Sequence, residues 1–369
     1  MRTTRSEPAI VRAWSRVIAL DGGTSNTRAR LIQDGRIVAS ARRTVGVRDS
    51  VLSDRSSGQR LADAVREVIA EAAGFGDGPA QGTTTPPGPD LIVAAGMLSS
   101  EEGLLAVPHM LAPAGLFELA DAVVARTLPQ IWPRPIHFVP GLRTPADAGP
   151  DGWMRADVMR GEECETLGAL AELTRRGLLE PGQEGLVFVW PGSHLKLVEV
   201  DGQGRITRSQ TTLAGELIQS VARHTLIAAS LPAELPRALD IETAEAGARA
   251  TQGQGLERAA FLVRVAALLG TMSPEQLASF WVGAVVADDV GHLARHPILA
   301  RSPPVWVGGR EPLRSLYAGW LAGLLEGPVT PLDDELSEAA SALGALAVVL
   351  VSIDPGRQSD RSTVIEPAP

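Results

Sequence analysis

The segment Asp21-Gly22-Gly23-Thr24-Ser25-Asn26-Thr27-Arg28 sets one acid and two glycines ahead of a run of hydroxyl and amide side chains that ends on a base. Glycines let backbone N–H groups come close to an anion and hydroxyls add donors, so the segment reads as a phosphate clamp. Asp21, the one acid among those donors, suits a hydrated Mg2+ that bridges phosphate oxygens. A second segment of the same make-up is Pro191-Gly192-Ser193-His194 with Lys196, in which His194 is a donor or positioning group. A cleft between two such turns would surround a polyphosphate with donors from both sides. Gly308-Gly309, after a short apolar run and ahead of a helix, is the arrangement in which a nucleotide base or ribose lies against the backbone.

Met159-Arg160-Gly161-Glu162-Glu163 adds an arginine and two carboxylates at the start of a helix. Successive helical side chains point about 100° apart, so only one of Glu162 and Glu163 can face a given cleft. That one could deprotonate an attacking hydroxyl, and Arg160 could pair with an anionic substrate group. An acid pair that merely complements the helix dipole is the plainer reading. Met97, within Ala95-Gly96-Met97, and Glu216, after Gly215, are weaker candidates of the same kind. Cys164 is the one cysteine, which excludes an intrachain disulfide and a thiolate zinc cluster, and it is expected to be a buried apolar residue.

Residues 16–20 predict a buried strand, and 29–33 and 36–41 a hairpin about Asp34-Gly35. The stretch 74–90, rich in Gly, Pro and Thr, predicts a surface loop. Strands follow at 91–95 and 136–140, then a helix over 157–176. At 186 the pattern starts again. VIALDGGTSNTRARLIQDGRIVAS from Val17 and VFVWPGSHLKLVEVDGQGRITRS from Val187 each run from a strand through a glycine turn to a basic residue (Arg28, Lys196) and a hairpin closed by Arg-Ile. This internal repeat implies two related halves with a boundary near 178–185. Helices are expected at 214–229, 257–270, 274–294, 311–325 and 333–351, with a strand at 305–307. The resulting division is a disordered extension (1–15), a first lobe (16–180), a second lobe (181–355) and a disordered tail (356–369).

Of 369 residues, 34 are Lys or Arg and 43 are Asp or Glu, a formal charge of −9 with the bases scattered, which argues against nucleic acid or an anionic membrane as partner. The longest apolar stretch, 342–353, falls short of the roughly 18 to 20 residues of a membrane-spanning helix, and no secretory h-region follows the N-terminal arginines. A cytoplasmic protein acting on a small molecule is the expectation, with a homodimer left open.

In order and approximate spacing, DGGTSNTRA, VAAGMLSSEEG, VPGL, VMRGEE, PGSHLK, LAGEL and VGG resemble the 2-dehydro-3-deoxygalactonokinases, over about residues 16–350. That family lies in the actin-like ATPase and sugar kinase superfamily. The resemblance implies an α/β fold of two lobes with duplicated ribonuclease H-like cores and an interlobe ATP cleft. It implies phosphorylation of 2-dehydro-3-deoxy-D-galactonate on its 6-hydroxyl, using ATP and Mg2+, in galactonate breakdown. The alternatives are a kinase of 2-dehydro-3-deoxygluconate or of another sugar, or a non-catalytic sugar sensor.

Carried across, Gly22, Gly23, Thr24, Ser25, Asn26 and Arg28 form the first phosphate segment. Gly192, Ser193, His194 and Lys196 form the second, and Gly308 and Gly309 the nucleoside turn. Superfamily kinases commonly draw an aspartate base from the second segment, but PGSH holds no acid. Glu162 or Glu163 is therefore the expected base and Asp21 the metal-side acid, with Met97, Arg160 and Glu216 toward the substrate. A glycine after Asp21 where relatives often have tryptophan, and Ala214 where they have threonine, bear most directly on sugar specificity.

Overall fold

The computed structural model describes residues 14–47, 57–74, 88–180, 182–183, 185–234, 236–354 and 356, so the expectations for 1–13, 75–87 and 357–369 lie outside the described residues. The chain divides into two compact units: Met1–Pro181 with Gly204–Ile206 and Ala339–Pro369, and Gly182–Gln203 with Thr207–Glu338.

In the first unit, β1 (Val17–Gly22), β2 (Thr27–Gln33) and β3 (Arg36–Arg43) form an antiparallel meander. Helix α1 (Ser57–Ala73) leads to β4 (Leu91–Gly96), which lies parallel to β1. There follow β5 (Met110–Leu111), α2 (Leu116–Asp121), β6 (Val124–Leu128), β7 (Trp132–Phe138), β8 (Leu142–Thr144), β9 (Asp157–Met159) and α3 (Glu162–Arg175). The main sheet has the order β3-β2-β1-β4-β7-β6, and β5-β8-β9 make a small second sheet. Side chains of β1 and β4 alternate between two cores. Ile18, Leu20, Ile92 and Ala94 pack with Leu61, Val65 and Ile69 of α1, while Val17, Ala19, Val93 and Ala95 pack with Cys164 and Leu167 of α3. Covering both faces is what makes these strands read as unbroken apolar runs.

In the second unit, β10 (Leu186–Trp190), β11 (Leu195–Val200) and β12 (Ile206–Thr212) repeat the meander. The helices α4 (Ala214–His224), α5 (Ile241–Gln254), α6 (Leu256–Leu269) and α7 (Pro274–Leu293) come next, then β13 (Val305–Val307), α8 (Leu313–Ala322) and β14 (Val329–Pro331). The sheet order is β12-β11-β10-β13-β14, with β13 parallel to β10. Helix α7 opens on a capping box between Ser273 and Gln276, and its Trp281 donates to Ile218 O at 3.0 Å from the middle of the core.

The last helix, α9 (Asp334–Ser352), was expected to stay with the second half, but from Ala339 onward it belongs to the first unit. There Ala342, Ala345, Val348 and Val349 join the α3 side of the sheet, and the backbones of α3 and α9 touch where Gly168 meets Ala340 and Gly344 meets Cys164. By length and composition α9 is apolar enough to cross a membrane, and Leu346, Leu350 and Val351 also pack against this core. The helix expected over 157–176 starts later, because 157–159 pair as β9 and Gly161 takes φ +119°.

Candidate active site

Asp21 stands one residue before the end of β1, paired with Arg28 on β2 and with Ala95 on β4. Its carboxylate is half-buried and has no hydrogen bond or ion pair among the described residues. The turn beyond it closes with Gly23 N–H donating to Asn26 O at 2.8 Å, and Asn26 Oδ1 accepts from Arg42 Nε and Nη2 at 3.1 and 2.8 Å. Gly96 ends β4 at φ +69°, a conformation that glycine enters without strain. A Cβ there would lie 2.5 Å from Gly22 O and 3.1 Å from Asp21 Oδ1, and one on Gly161 would lie 3.3 Å from Gly96 Cα. The ends of β1 and β4 and the start of α3 thus bring Asp21, Gly22, Met97 and residues 160–163 together.

The two glutamates differ sharply. Glu163 is fully buried, and both of its oxygens accept from Gly161 N–H at 2.9 and 2.8 Å, so it caps its own helix. Burial, reinforced by the charge of Glu162, pushes its carboxyl up to about 7. Glu162 is half-buried and accepts from Arg160 N–H at 3.2 Å, which leaves it the more open of the pair to a reactant.

Arg160, expected to meet an anionic substrate group, is committed elsewhere. Its Nη1 donates to Ser99 O and Oγ at 2.7 and 2.8 Å, and its Nη2 donates to Val107 O at 2.9 Å and lies 3.2 Å from His109 Nδ1. The guanidinium fastens the segment that follows β4 to the start of α3.

In the second unit the position of Asp21 is held by Trp190, which pairs with Lys196 as Asp21 pairs with Arg28. Lys196 is buried, and its Nζ donates to Thr211 Oγ1 at 2.6 Å. Helix α4 begins against the glycine turn: Gly215 touches Gly192 O, Glu216 N–H donates to Ser193 O at 2.8 Å, and His194 Nε2 lies 3.6 Å from Glu216 Oε1. Glu216, expected on the substrate side, therefore sits against the Gly192–His194 turn of this unit. Gly309 repeats Gly96, with φ +79° and a Cβ position 2.5 Å from Pro191 O, and Gly308 packs on the Trp190 ring. A cavity of about 340 Å3 opens here between Gly192, Ser193, Gly215, Arg237, Glu311 and Pro312, and a second, of about 400 Å3, shares the last three and adds Ser315 and Trp320.

The sequence-derived candidates thus fall into two groups. Arg42, Ser99, His109, Thr211 and Arg237 join them without having been foreseen.

A meander followed by a parallel strand, formed twice in one chain, defines the actin-like fold of sugar kinases. The model of the 2-keto-3-deoxy-galactonokinase family matches residues 21–344, and the chain belongs to that family, which makes it a sugar-acid kinase. It is 29% identical over 284 residues to the 2-dehydro-3-deoxygalactonokinase of Escherichia coli, covering 76% of this chain and 80% of that one. Its fold is similar to the crystal structure of a Sinorhizobium meliloti protein ascribed to the same enzymes, with a TM-score of 0.64 and 22% identity over 90% of this chain and 96% of the other.

Proposed function

We propose that this protein acts in the cytoplasm, transferring the terminal phosphoryl group of ATP to the 6-hydroxyl of 2-dehydro-3-deoxy-D-galactonate in galactonate breakdown. The observation that carries the reading is Asp21, a half-buried carboxylate beside a glycine turn with no side-chain partner among the described residues, in a chain of the 2-keto-3-deoxy-galactonokinase family.

Among the described residues no cluster of three His, Cys, Asp or Glu offers a full metal cage. One free carboxylate next to phosphate donors is the set that Mg2+ takes when it keeps most of its waters, and Asp21 would hold it. When bound, metal and nucleotide supply a phosphoryl group whose charge is partly neutralised.

The chain's own residues then have four tasks. Backbone N–H groups of Gly22 and Gly23, with Thr24, Ser25 and the amide of Asn26, hold phosphate oxygens. Gly192, Ser193, His194 and Lys196 do the same in the second unit. Gly308 and Gly309, with the cavity reaching Glu311, take the nucleoside. Glu162 accepts the proton of the attacking hydroxyl, while Glu163 fixes the helix end from which Glu162 projects. Phosphoryl transfer needs little covalent work from a protein, so the rate rests on positioning and charge.

Incubation with Mg-ATP and the sugar acid, followed by 31P–1H correlation of the product, tests this reading. A phosphorus signal coupled to the C6 protons is expected. A phosphate on another carbon, or no product from folded protein, contradicts it.

A further inference from the structure

Strand register sets three residues in a row across the sheet of the first unit: Asp21 pairs with Arg28, and Arg28 pairs with Arg42. Directly paired residues hold their side chains on one face about 5 Å apart, and like charges so placed repel. Arg30, two residues along the same face, is buried, and its charge works against the burial that pushes Glu165 up. Arg28 stands between the Asp21 carboxylate on one side and Arg42 on the other. It is half-buried, and its side chain makes no hydrogen bond or ion pair among the described residues. Arg42 is held by the Asn26 side chain through Nε and Nη2, on the strand position paired with Arg28.

We propose that Arg28 and Arg42 form the site for the carboxylate of the sugar acid, with Arg28 making the direct ion pair and Arg42 reinforcing its charge. This rests on the kinase reading above. The substrate has an acid at one end and the reacting hydroxyl at the other, and a hydroxyl at Asp21 and Glu162 leaves the carboxylate to be met further out. Strands lie about 5 Å apart, so the row carries Arg28 and then Arg42 outward over the length of an extended six-carbon chain. A carboxylate there would relieve the repulsion of the two guanidiniums through the strong, two-pronged contact that arginine makes with carboxylates. Arg160 is not available for that contact, because its guanidinium is bound to Ser99, Val107 and His109.

The test compares Arg28→Gln, Arg28→Lys and Arg42→Gln on the sugar acid and on the matching 3-deoxyketohexose, in which a hydroxymethyl group replaces the carboxylate. The ratio of kcat/KM for the acid to that for the neutral sugar is expected to fall about 100-fold in Arg28→Gln and about 10-fold in Arg42→Gln, with Arg28→Lys between them. An unchanged ratio overturns the proposal, whether both substrates slow together or neither does. A rise in the KM for ATP in place of a change in ratio overturns it too, and makes the pair a nucleotide-phosphate site. If the wild-type protein turns over neither sugar, the kinase reading fails, and calorimetric titration with the sugar acid then decides the anion site separately. Binding to wild type that is lost in Arg28→Gln keeps the carboxylate site, whereas equal binding, or none to either protein, removes it.

Discussion

Asp21 and Trp190 occupy the same position in two copies of one strand–turn–strand unit, each next to a glycine turn and each paired across a hairpin with a base. Where the first copy offers a carboxylate, the second offers an indole on which Gly308 packs. At this position the duplicated unit carries an acid in the first half and an aromatic ring in the second.

Asp21→Asn keeps the shape of the side chain and removes its charge. ATP-dependent turnover is expected to fall by about 10²- to 10⁴-fold while the thermal midpoint barely moves. Full activity in a folded Asp21→Asn protein would take Asp21 out of the mechanism.

Glu163 gives the stability a pH dependence of definite sign. Its folded value of about 7 lies above the ordinary 4.5, so between those limits the folded chain keeps a proton that the unfolded chain has lost. The corresponding stability is fully present below about pH 4.5 and falls as pH rises toward 7, by on the order of 1 to 3 kcal/mol. Glu165, also raised by burial, adds a slope of the same sign. Glu163→Gln should therefore melt close to wild type at pH 5 and above it at pH 8. A difference between the two proteins that is the same at both pH values would show that Glu163 carries no proton.

Arg160 is expected to act by holding the segment after β4. In Arg160→Met the carbonyls of Ser99 and Val107 lose their donor, at a cost of about 2 to 4 kcal/mol. Amide hydrogen exchange over residues 97–109 should speed up, and kcat should fall for the sugar acid and its neutral analogue by the same factor. Loss confined to the acid substrate would make Arg160 a carboxylate ligand after all.

Gly309 and Gly270 separate two costs of replacing glycine. Both have positive φ, but a Cβ on Gly270 meets nothing within 4 Å, whereas one on Gly309 meets Pro191 O at 2.5 Å. Gly270→Ala should cost about 1 kcal/mol from backbone strain alone. Gly309→Ala should cost clearly more in urea unfolding and also raise the KM for ATP. Equal losses would mean that the contact with Pro191 relaxes freely.

Much of this was legible in the sequence because local chemistry dictated it. Asp34-Gly35 closes its hairpin with both residues at positive φ, as that dipeptide allows, and the repeat from Val17 and Val187 corresponds to β1–β3 and β10–β12. Helix α5 was missed because its buried face is Thr243, Ala244, Gly247 and Thr251, which leave no apolar stripe to read. Helix α1, by contrast, carries a legible stripe in Leu61, Val65, Val68 and Ile69. The choice between Glu162 and Glu163 depends on which carboxylate turns back to Gly161 N–H, and spacing does not encode that. Arg42 is an ordinary arginine in sequence, and Arg160 stands out there only as a partner for an anionic substrate. Only strand register sets one beside Arg28, and only tertiary contact ties the other to Ser99.

The most direct test of the kinase reading is ADP release by the wild-type protein with Mg-ATP and 2-dehydro-3-deoxy-D-galactonate, with the C4 epimer run beside it. Strong release with the galactonate-derived acid and little with the epimer is the expected result. Turnover of the epimer in its place would keep the kinase and contradict the substrate, and no release with either acid from a protein that still binds ATP would contradict the enzyme.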